Sequence, residues 1–325
     1  MKNGTRDGRL VIVSRDLERA VDAATVAPTL FAALDDWAGC EPGLRALAER
    51  LEQGEIAGAF AFEPAEAMAP LPRSCQFVDA SAFLNHGDIL ERAYNVNVTK
   101  TPGIPILVQR QSDDFRGPCD DYAMLGEDEE GDFEGEFSAI VDDTPMASTT
   151  EQALSRIRLL TILNDVSMRR HLRRELQMGF GFINAKPATV FAPVAVTPDE
   201  LGEQWRDGRI HLDLQISRNG EWFGNPNGGE MDWGFGELLA HLAYNRNLRA
   251  GTLIGSGTVS NRNASEVGSA CLAERCALEV IEHGAPRTQM LRFGDRLRFE
   301  VRDAAGRTVF GAIDHRIVPA RSEGS

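Results

Sequence analysis

Asp132-Phe133-Glu134-Gly135-Glu136-Phe137 is the most informative hexapeptide of the chain. On a strand, the period of two puts Asp132, Glu134 and Glu136 on one face and Phe133 and Phe137 on the other. Three like charges on one pleated face repel unless water or a cation lies between them. Gly135 weakens a strand and suits close approach of another group. The competing interpretation is a solvated edge strand that continues the acidic run Glu127–Glu130. Asp165 adds a further acid. It ends the apolar run LLTILND and precedes VSMRRHLRREL, which fits a site residue at a strand's C-terminal edge and fits a helix N-cap equally. Carboxylate oxygens are what hard cations such as Mg²⁺ or Ca²⁺ prefer. No His or Cys stands at a suitable spacing from these acids, so zinc is disfavoured.

The elements that would carry these acids can be sketched from pattern. Leu10–Ser14 is a short apolar strand candidate, and Leu44, Leu47 and Leu51 recur at helical spacing. Ala67–Arg73, with two prolines, looks like a connector. A small leading unit over 1–73 and a larger unit over 74–325 are therefore expected. Ser148-Thr149-Thr150-Glu151 has a capping-box pattern and predicts a helix through about Arg158, ahead of the LLTILND strand. Thr197-Pro198-Asp199-Glu200 repeats the box with proline at the first helical position. Leu238, Leu239 and Leu242 suit a helix over 234–244. Leu297, Phe299 and Val301, a turn at Ala304-Ala305-Gly306, and Val309-Phe310 onward read as a hairpin. Many strands with dispersed helices argue for an α+β fold.

Composition sets outer limits. A chain of 325 residues suggests about two domains. Apolar residues make up 42% and charged residues 26%, as in ordinary globular proteins. Against 34 Lys+Arg stand 49 Asp+Glu, a net charge of −15, which repels phosphate backbones and disfavours nucleic acid and anionic lipid as partners. The most apolar short stretches, such as Ile104–Val108 and Phe191–Val196, are far below the length of a membrane span. Charges through the first residues leave no apolar run for an export signal. Five cysteines without CxxC spacing argue against a disulfide scaffold, and a reduced cytoplasmic chain is expected. Cys271 and Cys276 read as packing residues, and Trp205, Trp222, Phe223 and Trp233 as core rather than a stacking platform. GNPNGG at 224–229 lacks the lysine of a phosphate loop, and GTLIGSG at 251–257 opens no evident nucleotide-binding helix.

Taken in order, DFEGEF, NDVSMRR, the lysine of NAKPAT, IGSGTVSN and FGDRLRFEV resemble the fumarylacetoacetate hydrolase family, from about Ser74 to Ile317. The resemblance implies a mixed β-sandwich roll of the fumarylacetoacetase C-terminal type, a homodimer, and a divalent cation held by Glu134, Glu136 and Asp165, with Mg²⁺ expected and Ca²⁺ or Mn²⁺ as alternatives. Members that cleave carbon–carbon bonds add a fourth metal ligand, an aspartate seven residues before a catalytic histidine. Asp79 and His86 have that spacing, with Ser81 as a helix N-cap between them. Glu274, in GSACLAE, matches the glutamate that orients the histidine. Lys186 matches the lysine that stabilises an oxyanion. Gly257, Thr258 and Arg169 match substrate-contacting positions. Two positions depart from the family pattern: Leu172 stands where a glutamine is expected, and Asn95 where an arginine is expected, although Arg92 is nearby.

The implied activity is hydrolysis of a carbon–carbon bond in a 1,3-diketone or acylpyruvate-type substrate, as in aromatic-compound catabolism. Hydration, isomerisation or decarboxylation of a 2-hydroxy-dienoate or 2-keto acid is the alternative within the family. A binding or scaffold protein with degraded recognition is the alternative outside it.

Overall fold

In the computed structural model, which describes residues 1–95 and 100–320, the chain opens with an antiparallel sheet of β1 (Val11–Val13), β2 (Arg19–Asp22) and β3 (Phe60–Ala61). Between β2 and β3 lie α1 (Leu30–Asp35) and α2 (Trp37–Glu52). Thr29 caps α1 by accepting from the Ala32 N–H, and Asp36 caps α2 by accepting from that of Gly39. Leu44 and Leu51 are buried, and Leu47 is partly buried beside Leu44.

The remainder follows in chain order: β4 (Phe77–Ala80), α3 (Leu84–Tyr94), β5 (Leu107–Arg110), β6 (Tyr122–Met124), β7 (Gly131–Asp132) and β8 (Gly135–Val141). Then come α4 (Thr150–Leu154), β9 (Ile157–Asn164), β10 (Ser167–Met168), α5 (Arg169–Met178) and β11 (Val190–Phe191). The short pair β12 (Trp205–Arg206) and β13 (Arg209–Ile210) precedes β14 (Leu214–Arg218), β15 (Glu221–Gly224), α6 (Phe235–Leu242) and β16 (Leu253–Gly255). The chain closes with α7 (Ala264–Val267), α8 (Leu272–His283), β17 (Arg296–Val301) and β18 (Ile313–Pro319).

A six-stranded sheet in the order β11-β9-β8-β16-β4-β5 faces a five-stranded sheet in the order β15-β14-β17-β18-β6. The period of two explains why the first sheet is apolar on both sides. Val78, Phe137, Ala139, Leu160 and Ile254 face the core shared with Leu214, Phe299 and Ile313 of the second sheet. Phe77, Ile140, Leu159 and Leu253 point the other way, against Ala23, Trp37 and Leu71 of the leading segment. The α+β sandwich roll is as expected.

Local boundaries differ from the sequence expectations in instructive places. The capping box is Thr149 with Gln152, not Ser148 with Glu151, and α4 ends at Leu154 because the strand claims the chain from Ile157. After Thr197 the chain forms only 3₁₀ turns, without a side-chain cap. In the closing hairpin Phe299 pairs with Ile313, so Val309-Phe310 belongs to the connection. DFEGEF is not one strand: β7 pairs with β10 and β8 with β9, and the chain breaks between them at Phe133-Glu134. Trp222, expected in the core, is 58% exposed and carries Arg275 near its ring, whereas Phe223 is buried. The five cysteines are free, with Cys271 and Cys276 buried.

Candidate active site

The acids of DFEGEF are buried, not solvated: Asp132, Glu134 and Glu136 are each no more than 5% exposed. Gly135 does admit a close neighbour, but that neighbour is the apolar core, since a Cβ there would lie 2.7 Å from Ile216 Cδ1. Asp79 comes from β4, Glu136 from β8, and β16 lies between these strands. Gly255 of β16 pairs with Asp79 in register, and a Cβ on it would stand 2.5 Å from Asp79 Oδ1 and 2.7 Å from Glu136 Oε2. A glycine floor is what lets two carboxylates meet across an intervening strand. The Gly257 N–H donates to both, at 3.2 Å each.

Asp165 completes the cluster. It follows β9 directly and caps no helix, because β10 intervenes before α5. Asp79, Glu136 and Asp165 are buried, and each offers an oxygen within 4.8 Å of the others. Burial, then the Asp165 charge, raises the Asp79 carboxyl to about 6. Burial, then Asp79 and Asp165, pushes Glu136 well above the usual range. Glu136 Oε1 is buried without a hydrogen-bond partner. A buried, mutually repelling set of carboxylates with an orphaned oxygen fits a divalent cation.

Glu134 stands beside this trio and is turned to two cations. Lys186 Nζ donates to Glu134 Oε2 at 2.7 Å and to Asp165 Oδ2 at 2.6 Å. Arg169 donates to Glu134 Oε1 at 2.6 Å. Burial opposes ionisation of Glu134, but Lys186 and Arg169 hold its carboxyl well below the ordinary glutamate range. Lys186 is buried rather than solvent-facing, and although burial lowers its pKa, Asp165 and Glu134 raise it overall. Its loop is fixed by Glu175, whose carboxylate accepts from the N–H groups of Ile183, Asn184 and Ala185 at 2.8, 2.9 and 3.1 Å. Arg169, expected to meet substrate, is engaged with the site's own acids Asp132 and Glu134.

His86 lies in the first turn of α3 and Glu274 in the first turn of α8. The helices pack through Ile89 and Ala277, and His86 Nδ1 lies 2.8 Å from Glu274 Oε2. Ser81 is not the cap; Asp232 Oδ2 accepts from the Leu84 N–H instead, at 2.8 Å. Asn85 Nδ2 donates to Ser260 Oγ and Asn261 O, tying α3 to the segment that follows Gly257 and Thr258. Thr258 is buried there. Leu172 and Asn95, the positions that depart from the family pattern, lie on α5 and at the α3 C-cap.

Arg110 was absent from the sequence expectations, and Asp132 was read there only as one acid of a shared face. Arg110, the last residue of β5, donates through Nη1 to Asp165 Oδ2 at 3.0 Å and through Nη2 to Oδ1, with its side chain fully buried. Asp132 accepts from the N–H groups of Leu272 and Ala273 and from Arg169.

The chain belongs to the fumarylacetoacetate hydrolase family: the family model for the fumarylacetoacetate (FAA) hydrolase C-terminal region matches residues 76–318, and that for fumarylacetoacetase N-terminal domain 2 matches residues 1–73. Among named relatives it is similar to a 2,4-didehydro-3-deoxy-L-rhamnonate hydrolase of Sphingomonas sp. (strain SKA58), 26% identical over 160 residues. That match covers 48% of this chain and spans about half, 53%, of the relative. The fold is shared with a Mycobacterium smegmatis protein provisionally named HpcE (TM-score 0.70, 19% identity, 97% of this chain and 98% of that one). It is shared also with maleylpyruvate hydrolase from Sphingobium sp. SYK-6, solved with manganese(II) and pyruvate (TM-score 0.66, 15% identity, 97% of each chain). Among the described residues, no helix is long and apolar enough to cross a membrane.

Proposed function

We propose that this protein is a divalent-cation-dependent hydrolase that cleaves a carbon–carbon bond in a 1,3-diketone or acylpyruvate-type acid. The observation that carries the reading is the His86–Glu274 pair at 2.8 Å, taken together with the buried Asp79–Glu136–Asp165 cluster. Those three acids would hold the cation, with Mg²⁺ or Mn²⁺ as its identity, and Glu134, now paired with Lys186 and Arg169, would join them as the fourth ligand. When bound, the cation supplies Lewis-acid polarisation of paired substrate oxygens.

The chain's own residues account for the rest. With Nδ1 bound to Glu274, the imidazole presents Nε2 as the base that takes a proton from water. Glu274 fixes the tautomer and stabilises the imidazolium that forms. Lys186 places a buried positive charge where an oxyanion develops. The Gly257 N–H fixes Asp79 and Glu136, and Thr258 beside it is positioned for substrate. The similarity to a sugar-acid hydrolase, and to a fold neighbour that holds manganese and pyruvate, supports a keto-acid substrate and a C–C hydrolase.

The test is turnover of acetylpyruvate with Mn²⁺, followed by loss of diketone absorbance. His86→Ala and Glu274→Gln should each lose at least about 100-fold, within the range that general-base catalysis supplies. Wild-type rates in both variants would overturn the dyad. Product mass separates cleavage, which gives two fragments, from isomerisation, which leaves mass unchanged.

A further inference from the structure

We infer that Asp132 is a positioning residue for this site: one buried carboxylate ties the N-terminus of α8, and with it Glu274, to Arg169 and through Arg169 to Glu134. The inference rests on the proposed dyad and adds the group that sets its register against the acidic cluster. Asp132 is fully buried. Its Oδ1 accepts from the Leu272 N–H at 2.7 Å, and its Oδ2 from the Ala273 N–H at 3.0 Å. Oδ2 also accepts from Arg169 Nε at 2.9 Å and from Nη2 at 2.7 Å. The same Arg169 Nη2 donates to Glu134 Oε1 at 2.6 Å.

The two N–H groups are among the first of a twelve-residue helix and have no intrahelical partner, so a carboxylate there satisfies them and meets the positive end of the helix dipole. Glu274 follows Ala273 directly and holds His86. The backbone is stitched at the same point: Glu134 bridges to Cys271, and the Gly135 N–H donates to Ala270 O at 2.9 Å. These backbone links hold the segments together, whereas Asp132 sets the angle at which the helix leaves them. Working geometry must hold within about 0.5 Å, and a displacement of about 1 Å can cost on the order of 100-fold in rate. An asparagine there keeps the shape but offers one acceptor instead of two oxygens, and turns an N–H toward Arg169 or the helix.

The experiment is a double-mutant cycle on the full chain, with acetylpyruvate and saturating Mn²⁺. Asp132→Asn should lower kcat about 100-fold with KM within about threefold, since it acts through Glu274. In a Glu274→Gln background the same change should cost less than about threefold further. Additive losses, or an unchanged kcat, would overturn the role. If Asp132→Asn does not fold, Asp132→Ser, which retains an acceptor for the helix, serves in the same cycle. Proton NMR of the His86 ring N–H needs no substrate. The wild type should show a hydrogen-bonded imidazole proton that is missing in His86→Ala and lost or shifted in Asp132→Asn; an unchanged resonance overturns the positioning role even where the substrate assignment has failed.

Discussion

Replacing Arg110 by methionine gives the sharpest test of how the acidic cluster is balanced. Its guanidinium lies against both Asp165 oxygens with no side-chain exposure on either partner. Removing one member of a buried ion pair leaves an uncompensated charge and costs roughly 3–5 kcal/mol. Lys186 remains 2.6 Å from Asp165 Oδ2, so the loss should sit near the lower figure, about 3 kcal/mol. At about 2–4 °C per kcal/mol for a domain of this size, the melting midpoint of the metal-stripped protein should fall by roughly 6–12 °C. A divalent cation should then narrow the gap, because Asp165 in Arg110→Met has lost a competing positive charge. The cation should also bind the variant more tightly, by about tenfold for each 1.4 kcal/mol of interaction gained. Thermal melts after EDTA treatment and after addition of Mn²⁺, together with a Mn²⁺ titration of both proteins, read out both effects. A metal-free gap below about 2 °C, or a gap that Mn²⁺ leaves unchanged, would refute the reasoning.

Two further outcomes follow from backbone and burial. Gly257 has φ +78° and a Cβ there would stand 2.3 Å from Ala80 O, so Gly257→Ala should destabilise by at least about 2 kcal/mol in urea titration; a shift below about 0.5 kcal/mol would contradict the close approach. His315 is buried with Nε2 3.2 Å from Asn164 Nδ2, and burial lowers its pKa to about 4. Between the unfolded value of about 6.5 and that folded value, the unfolded chain binds the extra proton, so stability falls as pH drops through this window, by up to about 3 kcal/mol. His315→Gln should flatten that part of the stability curve, and an unaltered slope between pH 6.5 and 4 would count against it.

What the sequence disclosed depended on how local each signal was. Alternation was legible at Glu136 and Phe137 because a period of two is a property of β8 itself, and the rings of Phe133 and Phe137 are both fully buried in the core. The break at Phe133-Glu134 was not, since it arises from two different partners, β10 and β9, claiming the two halves. His86, Glu274 and Lys186 were nameable through ordered motifs. Arg110 carries no such mark: LVQR reads as any amphipathic strand end, and its role comes from an aspartate just past the end of β9, four strands away in the sheet order. Asp132 looked like one more member of an acidic face, because its real partner is the start of a helix far along the chain. Asp232 took the capping role expected of Ser81 for the same reason. Trp222 was assigned to the core on residue type alone, and Arg275 and Asn225 instead hold it at the surface.

The placement of β16 has a consequence for how the protein is made. Phe77–Ala80 and Gly135–Val141 emerge early in synthesis, yet no hydrogen bond joins them until Leu253–Gly255 arrives to pair with both, parallel to one and antiparallel to the other. At roughly 5–20 residues per second, that keystone leaves the ribosome some ten to thirty seconds after the first strand. Through that interval the sheet exists as two halves, β4–β5 and β8–β9–β11, each with a bare inner edge capable of pairing with another nascent chain. Asp79 and Glu136, kept apart until Gly255 slides between them, spend the same interval without each other's repulsion. The gathering of the carboxylates is thereby deferred to the moment the sheet closes.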